Sequence, residues 1–343
     1  MDVSLSSPHA DSLARPGAAR NGLAALQRSG IGAGSITPME ILDRHGDPVA
    51  LAQQLGRLSG VQGAVAPATW RRSGSAIVEV FPAPDGNASA GLNVLDRVRA
   101  AAHRIDPSSG VGGVPAQTQD FVSATYGSFP LMVTLIVLIT VVLLIRAFRS
   151  VVLPLKAVLL NLLSVAAAWG IMVLVWQDGY GSKLIRAIRA TGATESWLPI
   201  TVFGFLFGIS MDYEVFLLTR MREEYDVEGS TNGAIVAGIG RTGRLVTSAA
   251  LILFLAFLSL SSAPITDVKA LATGLGAGVL LDATVVRMLL VPALMKLFGE
   301  WNWWLPLSAA RLFHITTSSA PASPVAFGDE KQGRLPEPVA IKE

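Results

Sequence analysis

The sequence predicts a polytopic α-helical membrane protein with a small α+β domain ahead of its helices, and three observations predict it. Hydrophobic residues make up 51% of the 343 residues and charged residues 15%, whereas a soluble domain carries about 25% charge. Mean hydropathy is +0.50. The apolar residues between Phe129 and Phe298 fall into blocks of membrane-spanning length. Residues 21–125 instead alternate short β-rich runs with amphipathic helical runs.

Residues 1–20 are rich in Ser, Ala, Pro and Arg. They read as a disordered N-terminus, without the apolar centre of a signal peptide. In the α+β stretch, AGSITPMEILDRHG offers a strand. DPVALAQQLGRLSG starts a helix at Asp47 with Pro48 in its first turn and stops it at a glycine. VQGAVAP and SAIVEVFP are β-rich. ASAGLNVLDRVRAAAHRI lines up Leu92, Leu95, Val98 and Ala102 on one helix face. GVGGVPAQTQDF is expected to close the sheet. The order β-α-β-β-α-β is the split βαβ, or ferredoxin-like, arrangement.

Five spans follow, at about 129–146, 152–176, 197–219, 245–262 and 267–296 by hydropathy and length. Arg146, Arg149 and Lys156 crowd one end, as do Arg220, Arg222, Arg241, Arg244, Lys296 and Arg311. The positive-inside rule makes these ends cytoplasmic. Lys183, Arg186 and Arg189 in the loop 177–196 argue the other way, but the other connections agree. The N-terminal domain is then expected outside and the C-terminus inside. WNWW at 301–304 suits an interfacial belt, so residues 299–343 read as an interfacial Trp segment and a disordered cytoplasmic tail.

Several function classes drop out. A formal charge of +2 is too small to imply a nucleic-acid partner. With no cysteine, there is no thiolate metal site. His9, His45, His103 and His314 do not pair at ligand spacing. GIGRTG at 238–243 matches a dinucleotide fingerprint, but a membrane-length apolar run follows where a second strand is required. No motif implies a cofactor, a metal or an enzyme.

The informative residues lie inside the spans. On an α-helix, Asp212 is about 12 Å from Arg220 and roughly 20 Å from the other end of its span. An ionised Asp at such depth costs about 2.5–3.5 kcal/mol. A carboxyl that sheds this cost by taking a proton is a proton carrier; one that keeps a fixed hydrogen bond is a structural pin. Gly204 and Gly208 share the face of Asp212, and small residues there admit a neighbouring helix. Tyr213 lies about 100° further round and Glu214 about 200°, so the two acids form no dyad. In the last span, Gly274 and Gly278 lead to Asp282 on a second small-residue face. Arg287 lies about 140° round from Asp282, poorly placed for an intrahelical ion pair. Each is then expected to find a partner elsewhere, Asp282 on the third span and Arg287 by reaching towards the cytoplasmic side. Asn161 reads as a single interhelical hydrogen bond.

GISMDYEVFLLTRMREEY resembles the signature of MMPL transporters, a family of the resistance–nodulation–division (RND) superfamily. VLLDATVVRMLLVPALM, TGRLVTSAALILF, GIGAGSITPMEIL and VGGVPAQTQDF resemble further segments of that family. The likeness covers roughly residues 21–300 and corresponds to the C-terminal half only, without that half's first helix. The resemblance implies an extracytoplasmic porter domain over 21–125 and a five-helix transmembrane domain over 126–298. It implies proton-driven export of lipids or other hydrophobic compounds across the cytoplasmic membrane. Asp212 and Tyr213 would form the proton relay, Asp282 and Arg287 would couple it to helix movement, and a complementary half or a second copy would supply the missing Asp-Tyr. The alternatives are a non-transporting assembly subunit or truncated remnant, or a secretion component like SecD and SecF.

Overall fold

A computed structural model of the chain describes residues 3–7, 17–44, 46–181 and 190–312. His9, His45, His314, Lys183, Arg186, Arg189 and the tail from residue 313 lie outside the described residues.

Helix α1 (Ala18–Arg28) precedes the unit β1 (Met39–Asp43), α2 (Pro48–Leu55), β2 (Val61–Val65), β3 (Arg71–Arg72), β4 (Ser75–Pro82), α3 (Ser89–Ile105) and β5 (Gly110–Gly112). The long strands pair antiparallel in the order β2-β4-β1-β5, and β3 pairs with β4. Register follows the apolar alternation. Met39 stands opposite Val80 and Ile41 opposite Val78, and all four are buried against Leu51 and Leu55 of α2 and Val94, Leu95 and Val98 of α3. Asp47 caps α2, its Oδ1 accepting from Val49 N at 3.0 Å and Ala50 N at 3.3 Å; Pro48 needs no such acceptor.

Helix α4 (Val114–Phe148) begins directly after β5. Of GVGGVPAQTQDF only Gly110–Gly112 is strand. Gly113, at φ 90°, breaks the ladder, and Pro115 stands in the first turn of the helix. The expected boundary between 125 and 126 therefore falls inside one helix of 35 residues, about 52 Å long. That exceeds a hydrocarbon core of about 30 Å, so its first turns stand clear of the apolar region. Arg99 of α3 clasps this projecting part, with Nη1 on Gln119 Oε1 at 2.6 Å and Nη2 on Asp120 Oδ1 at 2.7 Å.

Among the described residues, five helices are long and apolar enough to cross a membrane. They are α4, α5 (Val152–Met172, extended by a π-helical turn to Gln177), α6 (Leu198–Glu228), α7 (Thr231–Leu260), and α8 (Thr266–Leu281). The last continues as a π-helical segment, Asp282–Leu290, and α9 (Val291–Phe298). The protein is a polytopic helical membrane protein. Helices α5, α6 and α8 form the centre, each 44% buried over its most apolar window, while α4 and α7 are 11% buried and peripheral. The GIGRTG glycines belong to no strand-turn-helix unit. They lie within α7, where Gly238 lets Met221 pack at a separation a Cβ would close to 2.5 Å.

The expectation of disorder over residues 1–20 fails for its described pieces. Ala18–Arg20 begin α1, and Leu5 bridges Thr194. Ser6 N donates to the Thr194 carbonyl, and Thr194 N to that of Ser4. Backbone pairing, absent from compositional reasoning, holds residues 4–6 against Thr194. Ser7 Oγ adds a bond to Glu195 Oε1 at 3.3 Å. Burial pushes the Glu195 carboxyl above its ordinary range, and the charge of Asp267 adds to this. A carboxyl raised in the folded state costs stability once it ionises. Thermal stability in detergent is therefore expected to fall as pH rises through the shifted range of Glu195. Melting curves taken between about pH 4 and 8 should show this, and Glu195→Gln should flatten the trend; an equal slope in the variant would contradict it.

Candidate functional site

The apolar stretch of helix α6 carries two acids, Asp212 and Glu214, facing opposite ways. Ser210 and Glu214 are one α-turn apart on its inner side, 3% and 4% exposed. Gly204, Gly208 and Asp212 are exposed on its outer side. A Cβ built at Gly204 or Gly208 would meet nothing within 4 Å. Asp212 thus does not point into the bundle of this chain, contrary to the expectation for a central helix. Sequence spacing shows which residues share a face, but not which way that face turns.

The inward polar groups meet where α6, α5 and the π-helical segment cross. Asp282 Oδ1 accepts from Ser210 Oγ at 2.8 Å and from Ser164 Oγ at 3.1 Å. Asp282 Oδ2 accepts from Arg287 Nε and pairs with Nη2, both at 2.7 Å. Arg287 Nη2 also donates to the Ser210 carbonyl, and to Ser210 Oγ at 3.1 Å. Asp282 is 6% and Arg287 3% exposed. The predicted separation of these two residues is corrected. In a π-helix the i→i+5 hydrogen bond widens the turn, so a residue five positions on returns to the same side. Arg287 consequently pairs within its own helix instead of reaching for an interface.

The approach of the helices is set by glycine. A Cβ on Gly278 would run into the Leu206 side chain and come within 3.1 Å of Ala168 Cβ. Gly274 faces Met172 and Val202 at ordinary contact distance. Asp282 follows Gly278 by four residues and so reaches α5 and α6 at once. Asn161 Nδ2 donates to the Phe207 carbonyl at 2.9 Å, joining α5 to α6. Tyr213 lies between the two faces, half-buried, with its ring 5.2 Å from the Arg287 guanidinium. A cation over an aromatic face at this range is attracted by the ring quadrupole.

Sequence reasoning missed Ser164, Ser210 and Glu214 as members of this cluster, and also Lys156. Two serines in an apolar helix carry no signal of their own. The Asp282–Arg287 spacing did carry one: opposite charges five apart in an apolar span are unpaired on an α-helix, which is too costly to leave standing.

A family model described as the MMPL family matches residues 73–320. The chain is 32% identical over 323 residues to the heme uptake protein MmpL11 of Mycobacterium tuberculosis, covering 90% of this chain and 33% of that protein. It is 36% identical over 260 residues to the mycolic acid-containing lipids exporter MmpL11 of Mycolicibacterium smegmatis, 75% of this chain and 27% of the relative. It is 42% identical over 202 residues to the trehalose monomycolate exporter MmpL3 of M. tuberculosis, 59% of this chain and 21% of the relative. The chain spans about a third or less of the length of these relatives.

Two stability tests follow from this geometry. Gly278→Val should cost about 1–3 kcal/mol through overpacking. Gly208→Ala should leave the isolated chain unchanged or up to about 1 kcal/mol more stable, since alanine favours helix. Unfolding in mixed micelles would compare them, and equal losses would contradict the assignment of inner and outer faces. Arg287→Ala should cost about 3–5 kcal/mol by leaving a buried carboxylate unpaired, and Asp282→Asn/Arg287→Gln should cost less than that single change. A double variant as unstable as the sum of both singles would show that the pair is not coupled.

Proposed function

The chain belongs to the MMPL family, and from that premise we propose that it forms part of a proton-driven exporter of lipids or other hydrophobic compounds in the cytoplasmic membrane. The observation that carries the reading is the bare outer stripe of α6. An acid exposed at mid-span beside two uncovered glycines is expensive against hydrocarbon. A second protein surface relieves that cost, and the glycines let its helix approach closely. A complementary transporter half, or a second copy of the chain, is the partner this stripe suits.

In this reading Asp212 takes and releases the proton. Tyr213 bonds the acid of the facing surface, while its ring lies against Arg287. A change at Asp212 thereby reaches the Asp282–Arg287 pair through one residue, and through Asp282 the contact of α8 with α5 and α6. The glycines at 274 and 278 allow those helices to slide at close range. One proton charge moved through 100 mV supplies about 2.3 kcal/mol, so a few suffice to bias a two-state bundle.

The N-terminal unit is read as the porter domain. Its connection order and antiparallel sheet support a ferredoxin-like assignment, and the Arg99 clasp on α4 would pass helix movement to it. Basic residues at the Arg149, Arg220 and Lys296 ends support a cytoplasmic position for those ends and an outer position for the porter domain. Two relatives are named lipid exporters, which favours a lipid cargo. One is named a heme uptake protein, so inward movement of heme is the second reading.

Co-reconstitution with a complementary half in vesicles holding a pH gradient tests both. Asp212→Asn should abolish gradient-dependent lipid movement, by at least tenfold, with the chain still folded. Retained coupled transport would overturn the relay. Gradient-dependent heme entry without lipid movement would replace the cargo.

A further inference from the structure

The transport reading leaves Glu214 without a role, although it is 4% exposed inside the bundle. It lies one α-turn beyond Ser210, the residue that bonds both Asp282 and Arg287. Its carboxylate interacts electrostatically with Arg287, Asp282 and Lys156. Arg287 spends Nε and Nη2 on Asp282 and Ser210, and its Nη1 is buried with no hydrogen-bond partner among the described residues. On the far side, Glu214 and Lys156 line one small cavity with Leu160, Leu218 and Met295. Lys156 Nζ in turn donates to Asn302 Oδ1 and contacts Met295 Sδ at 3.3 Å. Asn302 is fully buried in the turn that follows α9.

These groups form a row of alternating sign: Asp282, Arg287, Glu214, Lys156. When all four are ionised, two carboxylates and two cations sum to zero. We infer that Glu214 is a second proton-binding site, linked to Asp282 through the shared Arg287 guanidinium and to the Trp-rich end of the bundle through Lys156. The inference deepens the proton-driven reading and, for its role in transport, rests on it. A proton bound at Asp282 would neutralise one claimant on Arg287. The guanidinium would then turn its free Nη1 edge to Glu214 and hold that carboxylate ionised. A proton bound at Glu214 instead would return Arg287 to Asp282. The row takes one extra proton at a time, because a second would leave two buried cations unpaired. Asp212 faces away from this row and touches it only indirectly, through the Tyr213 ring beside Arg287.

Infrared titration of carboxyl groups in the full chain, reconstituted in lipid, reads this without any transport assay. A carboxyl band absent from Glu214→Gln should titrate in the wild type. Should that variant not fold, Glu214→Asp identifies the band by its displacement. Asp282→Asn should release Arg287 and weaken proton binding at Glu214 at least tenfold. Lys156→Met should strengthen it at least tenfold, and Asp212→Asn, which acts only through Tyr213, should change it less than either. A Glu214 band indifferent to both Asp282→Asn and Lys156→Met would overturn the shared guanidinium, as would a Glu214 that never titrates. Loss of export in Asp212→Asn beside an indifferent Glu214 would remove this inference and leave the relay. A responsive Glu214 beside unimpaired export in Asp212→Asn would do the reverse.

Discussion

A charge placed among apolar helices must be paired inside or covered from outside, and α6 is built around that constraint. Its inner side brings Ser210 and Glu214 to a buried pair, Asp282 and Arg287, whose donors and acceptors are almost all used. Its outer side presents Asp212 above two glycines with no described residue against them. The first arrangement pairs its charges within the chain. The second is not, and the account of transport rests on that asymmetry between two sides of one helix.

The π-helical segment makes the inner arrangement possible. A regular helix through residues 282–290 would carry Arg287 away from Asp282 and leave two unpaired charges in the bundle. The widened turn relaxes regular hydrogen bonding locally and gains an ion pair bonded by two serines. Such turns recur at functional sites in other helices. Here the deviation lies at the crossing of the three most buried spans, within reach of the ring of Tyr213.

Much of the architecture was legible in the sequence, for physical reasons. Membrane spans announce themselves because hydrocarbon tolerates so few residue types. The β-rich composition of MEILD and SAIVEVFP placed two strands, and Asp47-Pro48 placed a helix start. The site was legible only in part. Asp212 and Asp282 stood out because acids are rare in apolar runs. The direction each faces depends on which helices surround it, and that is settled by packing through Gly238 and Gly278, not by periodicity. The boundary at 125 falls within one helix because a helix that leaves the apolar region keeps its hydrogen bonds, and only its composition changes. Ser164 and Ser210 gave no signal, since a serine in a span is as often bonded to its own backbone.

The chain contains no cysteine, which opens the most direct measurement of the central claim. A single cysteine at Gly208 reports on the outer stripe alone. Its labelling by a lipid-soluble maleimide should be rapid in membranes that hold this chain by itself. It should fall by an order of magnitude or more when a complementary half is co-expressed and the complex is active. Equally rapid labelling in the active complex would mean that the stripe faces lipid at work, and Asp212 could not then be the acid at a protein interface.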